Sequence, residues 1–387
     1  MPTITTYSHT QYSGIWSLGG QANAKSASTW PNPPQVTLFS WGSNNNGQLG
    51  LGNITQYSSP KNVGSLTNWS STASGQSHTL AIKTDGTLWA WGENSGGQLG
   101  LGNTTKYSSP KQVGSLTSWL TITAGYTSSL AIKTDGTLWA WGDNIAGNLG
   151  DGTTTNRSSP VQIGALTNWY KISGGYSFSI AVKTDGTLWA WGNGGYGQLG
   201  QSSYTAYSSP KQIGALTTWL YANSSVSNGV GAVKTDGTIW GWGDNTFGQT
   251  GLGNTTRYRS PKQIGALTTW SYTTGGQTVL AINTSGYLWS WGRNDAGQLG
   301  LGNATGYSSP KQVGSLNNWS NKMTSSIRQH SIAIKTDGTL WTWGKNPAGQ
   351  LGQGNTTYIS SPKQVGALAS WLNVSAGYSF TMGIAIA

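Results

Sequence analysis

"KTDGTLWAWG" at residues 83–92 recurs letter for letter at 133–142 and 183–192, and with small changes at 234–243 (KTDGTIWGWG) and 335–344 (KTDGTLWTWG). Its Thr-Asp-Gly predicts a hairpin turn, because glycine accepts the positive φ that a tight turn demands. "FSIAVKTDGTLWAWG" (178–192) is then two strands around a turn, with Leu188 and Ala190 on one face and Trp189 and Trp191 on the other. "NWYKISGG" (168–175) reads as a strand before that hairpin. "SSPVQIG" (158–164) reads as an outer strand whose proline suits an edge. The unit is therefore four short strands with glycine-rich connections and no helical periodicity.

The Trp-Gly pair that ends the motif occurs seven times, at Trp41, Trp91, Trp141, Trp191, Trp242, Trp291 and Trp343, at spacings of 50, 50, 50, 51, 49 and 52 residues. A second tryptophan closes "LTNW"-like segments at Trp69, Trp119, Trp169, Trp219, Trp270, Trp319 and Trp371. A third lies two residues before Trp-Gly in six units, with Phe39 in the first. Only Trp16 and Trp30 fall outside these sets. A large aromatic at one strand position of every unit predicts packing between neighbouring sheets. The two ends set the closure. "SAGYSFTMGIAIA" (375–387) matches the first two strands of a unit and stops, while "PPQVTLFSWG" (33–42) supplies the missing third. The fold read from this is all-β: a seven-bladed β-propeller of four-stranded blades, its ring closed by N- and C-terminal strands sharing one blade. Residues 35–387 form the propeller and 1–34 an N-terminal arm.

Gly-x-x-His-[Ser/Thr], a hydrophobic pair, Asp-Gly, an aromatic, Trp-Gly and then "GQLGLG" resembles the regulator of chromosome condensation repeat, whose fold is a seven-bladed propeller. The "GQLG" element stands at Gln98-Leu99-Gly100 and Gln298-Leu299-Gly300. The family's histidine slot holds His78 and His330, but Ser128, Phe178, Gly229, Thr278 and Phe380 in the other units. The Gly-Trp-Arg-His-Thr motif of light-sensing members is replaced by Gly75-Gln76-Ser77-His78-Thr79. The name-giving activity, nucleotide exchange on a nuclear GTPase with chromatin binding, is an expectation of the resemblance alone, since one fold hosts many functions.

The composition narrows the chemistry. There is no cysteine, which excludes disulfides and thiolate sites. His9, His78 and His330 have no metal-ligand spacing, and the ten carboxylates form no near pair. Five of these (Asp85, Asp135, Asp185, Asp236, Asp337) sit in hairpin turns, and no Gly-rich loop ends in Lys-Ser/Thr. The expectation is a protein that is not an enzyme, with no cofactor and no metal. The net charge of +11 is spread around the repeat: six of the seven units carry a lysine in "PKQ" or "PKN", at Lys61, Lys111, Lys211, Lys262, Lys311 and Lys363. Such a ring argues against a specific nucleic-acid patch. No apolar run is long enough to span a membrane. The opening residues lack the basic and apolar regions of a secretory signal.

The non-repeating residues draw the functional reading. Residues 1–34 are polar, with Tyr12, Trp16 and Trp30 as aromatic anchors, and "YSGIWSL" through "WP" (12–31) resembles short segments of tailed-bacteriophage structural proteins. On that resemblance the chain is a virion-associated structural or adhesion module. Its arm docks to other virion proteins, and its rim meets a host-surface protein or glycan, or a further copy within the particle. The alternative is a cytoplasmic, protein-binding regulator of the chromosome condensation type. Within the propeller the loops after each Trp-Gly vary most, and Tyr196, Phe247 and Arg257 are the candidate contact residues, loops being where rigid scaffolds carry function.

Overall fold

The computed structural model describes residues 35–224, 227–326 and 330–386. The expected docking residues Tyr12, Trp16 and Trp30 lie outside them. The described chain forms 28 strands in seven antiparallel four-stranded sheets. We number these blades 1 to 7 in chain order. In blade 2 the strands run Trp69–Ser74, His78–Lys83, Leu88–Gly92 and Tyr107–Gln112 from the axis outward. Blade 1 is composite: Val36–Gly42 and Tyr57–Asn62 complete Trp371–Ala376 and Phe380–Ile386. Val36 pairs with Ile386 and Gly42 with Phe380 through an unbroken register, so the two ends of the chain close the ring.

Innermost strands of all seven blades line an axial cavity of about 230 Å³. Hydroxyls dominate its wall, and they bond across seams: Ser74 Oγ to Ser375 Oγ at 2.8 Å and Ser173 Oγ to the Ser224 carbonyl at 2.9 Å. Among the described residues no charged side chain lines it. Outermost strands are edges, and each carries a proline that removes one N–H. The ring of exposed lysines lies beside those prolines, as at Pro110 and Lys111. Proline and lysine on an edge strand block pairing with other chains. The ring of charge read from the sequence is thus explained by the edges it protects.

KTDGTLWAWG is a local device repeated around the ring. Gly86, at φ +78°, turns the chain so close to the next blade that a Cβ would stand 2.0 Å from the Thr117 carbonyl oxygen. The Asp85 carboxylate accepts from the Thr87 amide at 2.9 Å and its hydroxyl at 2.7 Å, and the Trp89 indole donates to that hydroxyl at 3.0 Å. Those two bonds hold the Asp85 carboxyl below its ordinary range. Trp69 meets Trp89 and Trp91 edge-on at 6.1 and 6.2 Å, and the Lys83 ammonium sits 4.7 Å over Trp89.

Seams between blades follow one rule. Each Trp-Gly indole donates to a backbone carbonyl in the "GQLG" loop of the preceding blade. Trp91 bonds the Gln48 carbonyl at 2.9 Å, Trp141 that of Gln98, and Trp41 that of Gln350, which closes the circle. Gly100, at φ +73°, leaves room for that indole, since a Cβ there would meet Trp141 Nε1 at 2.8 Å. In five seams the same carbonyl also accepts a hydroxyl, from Thr79, Ser129, Ser179, Ser331 or Thr381. Valines, Val230 and Val279, replace it in the seams 4/5 and 5/6. The tryptophans read as packing residues are packing residues.

Candidate functional site

Third and outermost strands are joined on one face of the ring by the long loops 43–56, 93–106, 143–156, 193–206, 244–257, 293–306 and 345–358. A buried asparagine braces most of these loops. Asn94, for example, donates to the carbonyls of Asn103 and Thr105 and accepts from the Leu99 amide. With the base fixed, side chains at the loop crest reach across the seam to the preceding blade. Charged side chains do so. The Lys106 ammonium pairs with Glu93 at 2.5 Å and donates to the Asn46 side chain of blade 1 at 2.9 Å. The Arg257 guanidinium pairs with Asp244 at 3.2 Å and lies 4.7 Å over the Tyr196 ring of blade 4.

Tyr196 and Arg257 thus form one contact across seam 4/5. Phe247 occupies the place equivalent to Tyr196 one blade on, where the Arg293 guanidinium lies 4.7 Å over its ring. Arg293 is held by both Asp295 carboxylate oxygens, at 3.0 and 2.7 Å, and donates to Gln277 at 3.0 Å. A third pair, Arg259 over Tyr204 at 5.2 Å, adds to seam 4/5. Several residues that break the repeat therefore contact one another on the neighbouring seams of blades 4, 5 and 6; Lys106, Glu93 and Asn46 do so on seam 1/2, and Arg157 pairs with Asp151 within blade 3. Reading the sequence misses Arg293, Asp244, Arg259 and Tyr204. The available signal is positional: Arg259 stands where most units have serine and Tyr204 where most have threonine.

Near the axis on the same face, Tyr126 stacks on Tyr176 at 4.4 Å between ring centres and meets Tyr378 at 6.4 Å. The two histidines of the family slot are buried inside seams. His78 Nε2 meets Ser129 Oγ at 3.1 Å, and His330 bridges Ser326 Oγ at 2.6 Å and Thr381 Oγ1 at 3.2 Å. Burial lowers their pKa to about 4 and about 3, with Glu93 acting weakly upward on His78. Among the described residues no three His, Cys, Asp or Glu side chains cluster as metal ligands. No helix among them is long and apolar enough to cross a membrane.

The profile of the regulator of chromosome condensation (RCC1) repeat matches residues 37–82, 85–132, 135–182, 185–225, 236–281, 285–334 and 337–384. Human protein RCC2 is 41% identical over 54 residues, 14% of this chain and 10% of its own length. The human E3 ubiquitin-protein ligase HERC2 is 30% identical over 139 residues, 35% of this chain and 3% of its length. The chain thus spans a small part of these relatives. Two solved structures superpose along most of their length. Human WBSCR16 gives a TM-score of 0.80 at 21% identity, covering 90% of this chain and 98% of its own. Prp20p of Saccharomyces cerevisiae, studied for its binding to Gsp1p and histones, gives 0.80 at 22% identity with 92% of each chain covered. The same yeast protein has been solved bound to Kap60.

These findings overturn the phage reading and the virion partners with it. That reading rested on about twenty residues (12–31) outside the repeat, whereas relatives matched through the repeat itself are cellular proteins of human and yeast. With matches across all seven blades, the chain belongs to the regulator of chromosome condensation repeat family.

Proposed function

We propose that this chain is a non-catalytic, intracellular protein-binding platform of the chromosome condensation regulator type, and that it meets its partner through the loop face of blades 4 to 6. The observation that carries the reading is the contact set on seams 4/5 and 5/6, where Tyr196, Arg257, Phe247 and Arg293 depart from the repeat together. Duplicated blades that drift independently scatter their odd residues. Here the odd residues pair with each other and keep aromatic and guanidinium surface at the rim, the side-chain types that anchor protein interfaces. Arginine held by a carboxylate and stacked on a ring is also pre-organised, which lowers the entropy cost of binding.

The test uses the full chain as bait, wild type beside the variant Tyr196→Ala/Phe247→Ala/Arg257→Ala. A captured protein is purified and its affinity for both baits measured. The reading predicts at least about a tenfold weaker affinity for the variant, at an unchanged melting temperature. Equal affinity removes the sector from the interface.

A further inference from the structure

Each blade turns one face to the blade before it, and three neighbouring positions on that face recur. In blade 2 they are Trp89 on the third strand with Ala81 and Lys83 on the second; Trp89 pairs with Ala81, and Lys83 with Trp69 of the innermost strand. In blades 2, 3, 4, 5 and 7 the lysine ammonium lies over the third-strand ring, at 4.7, 3.6, 3.7, 3.7 and 3.7 Å from its centre. It lies 4.8 to 5.2 Å from the innermost-strand tryptophan. None of these five ammoniums makes an ion pair among the described residues, so the two rings are what seat it.

Blade 1 cuts all three positions down. Its strand register puts Phe39 at the place of Trp89, Gly383 at that of Ala81 and Ala385 at that of Lys83. The φ of Gly383 lies outside the left-handed region, so no turn demands glycine there. Trp371 leans into the space, and a Cβ on Gly383 would stand 2.5 Å from its ring. What remains is a cleft of about 410 Å³ in the seam between blades 7 and 1, walled by Phe39, Trp371, Pro60, Val365, Leu368 and Gln353. Among the described residues no charged side chain lines it. The ring pair survives, with Phe39 and Trp371 5.2 Å apart between centres, but the cation that covers it elsewhere does not. Blade 6 also lacks the lysine, yet it keeps Trp289, Ala281 and a polar side chain, Asn283, in its place.

We propose that this cleft binds a lysine side chain of a protein ligand, whose ammonium takes over Phe39 and Trp371 the place that Lys83 holds in cis over Trp89 and Trp69. The attraction of an ammonium to a ring face needs no carboxylate. The aliphatic stem of lysine suits the apolar wall of Pro60, Val365 and Leu368, since long cationic side chains lay their stems on such surface. Gln353 donates its amide nitrogen to the Gln364 and Lys363 carbonyls at 3.1 and 3.3 Å, and its oxygen is left with no partner among the described residues. That oxygen is an acceptor for a backbone or ammonium N–H of the ligand. The cleft lies apart from the loops of blades 4 to 6 and does not rest on the reading of that sector.

The chain contains four phenylalanines, Phe39, Phe178, Phe247 and Phe380, so ring-labelled phenylalanine gives one NMR probe in the cleft and three controls. Phe178 and Phe380 are buried, and Phe247 stands in the loop sector. The labelled full chain is titrated with Nα-acetyl-lysine methylamide, with its norleucine counterpart, which lacks the ammonium, and with butylamine. The lysine compound is expected to move the Phe39 signal saturably and to bind at least about threefold more tightly than the norleucine compound. Ala385→Lys supplies the ammonium in cis, and is expected to hold that signal near its lysine-saturated position and abolish its response. Equal binding of the norleucine compound shows a merely apolar cleft and overturns the proposal, as does a Phe39 signal that never saturates. Butylamine binding as tightly as the lysine compound assigns a free amine and overturns the protein ligand. A response at Phe247 alone places lysine in the sector loops and overturns the cleft. The wild-type titration decides these outcomes whether or not Ala385→Lys folds.

Discussion

His78 and His330 stand in a slot that phenylalanine fills at Phe178 and Phe380. Ser129 spends its hydroxyl proton on the Gln98 carbonyl at 2.7 Å and Thr381 its own on Gln350, so each histidine donates from Nε2 and is neutral in the fold. His78 Nδ1 is left buried with no partner, and protonating it would put an unpaired donor inside the seam. The folded pKa values lie near 4 and 3, below the ordinary 6.5, because burial disfavours the charged ring. The unfolded chain therefore binds protons first as pH falls. The stability from these residues is whole above about 6.5 and is lost through the window down to about 4, by roughly 3 kcal/mol for His78. The turn aspartates are held low and act only beneath their ordinary range, outside most of that window. Melting curves between pH 7 and pH 4 should show falling stability for the wild type and a much flatter profile for His78→Phe/His330→Phe. A double variant that keeps the full slope would contradict this assignment.

Blade 6 is an internal control at the scale of the element. Its turn reads Asn283-Thr284-Ser285-Gly286-Tyr287 in place of Lys-Thr-Asp-Gly-Thr. The aspartate cap and the threonine hydroxyl are both gone, and the Trp289 indole nitrogen is buried without a partner. In the blades that keep the motif the same nitrogen bonds threonine, as Trp189 does with Thr187 at 2.8 Å. Ser285→Asp with Tyr287→Thr should restore that chain of bonds and raise unfolding stability by about 1 kcal/mol, measured by denaturant titration. The mirror change in blade 4, Thr187→Val, should lower it by a similar amount. If the blade 6 repair left stability unchanged, the hydroxyl would be a spectator and packing of the indole alone would account for the motif.

At the scale of the whole molecule, much of the architecture was legible because the ring repeats it. Trp-Gly spacing yields the blade count, Thr-Asp-Gly the hairpins, and the unfinished units at 36–42 and 375–386 the closure. The partnering of loops across seams was not legible. Tyr196 and Arg257 are far apart in the chain and meet only because the ring sets the crest of one blade against the next. Arg293 passed unnoticed for the same reason: its contact with the Phe247 ring crosses a seam. The phage reading fails on different grounds, since a short likeness outside the repeat was set against matches spanning every blade.

The proposed division of labour is a repeated framework that holds itself together and one sector, blades 4 to 6, that departs from it to bind. Hydrogen exchange of the full chain with and without its purified partner tests that division most directly. The account predicts protection concentrated in the loops 193–206, 244–257 and 293–306, with the opposite face and the loops of blades 1 to 3 unchanged. Protection centred on the Thr-Asp-Gly turns of the opposite face, or on loops 43–56 and 93–106, would contradict it.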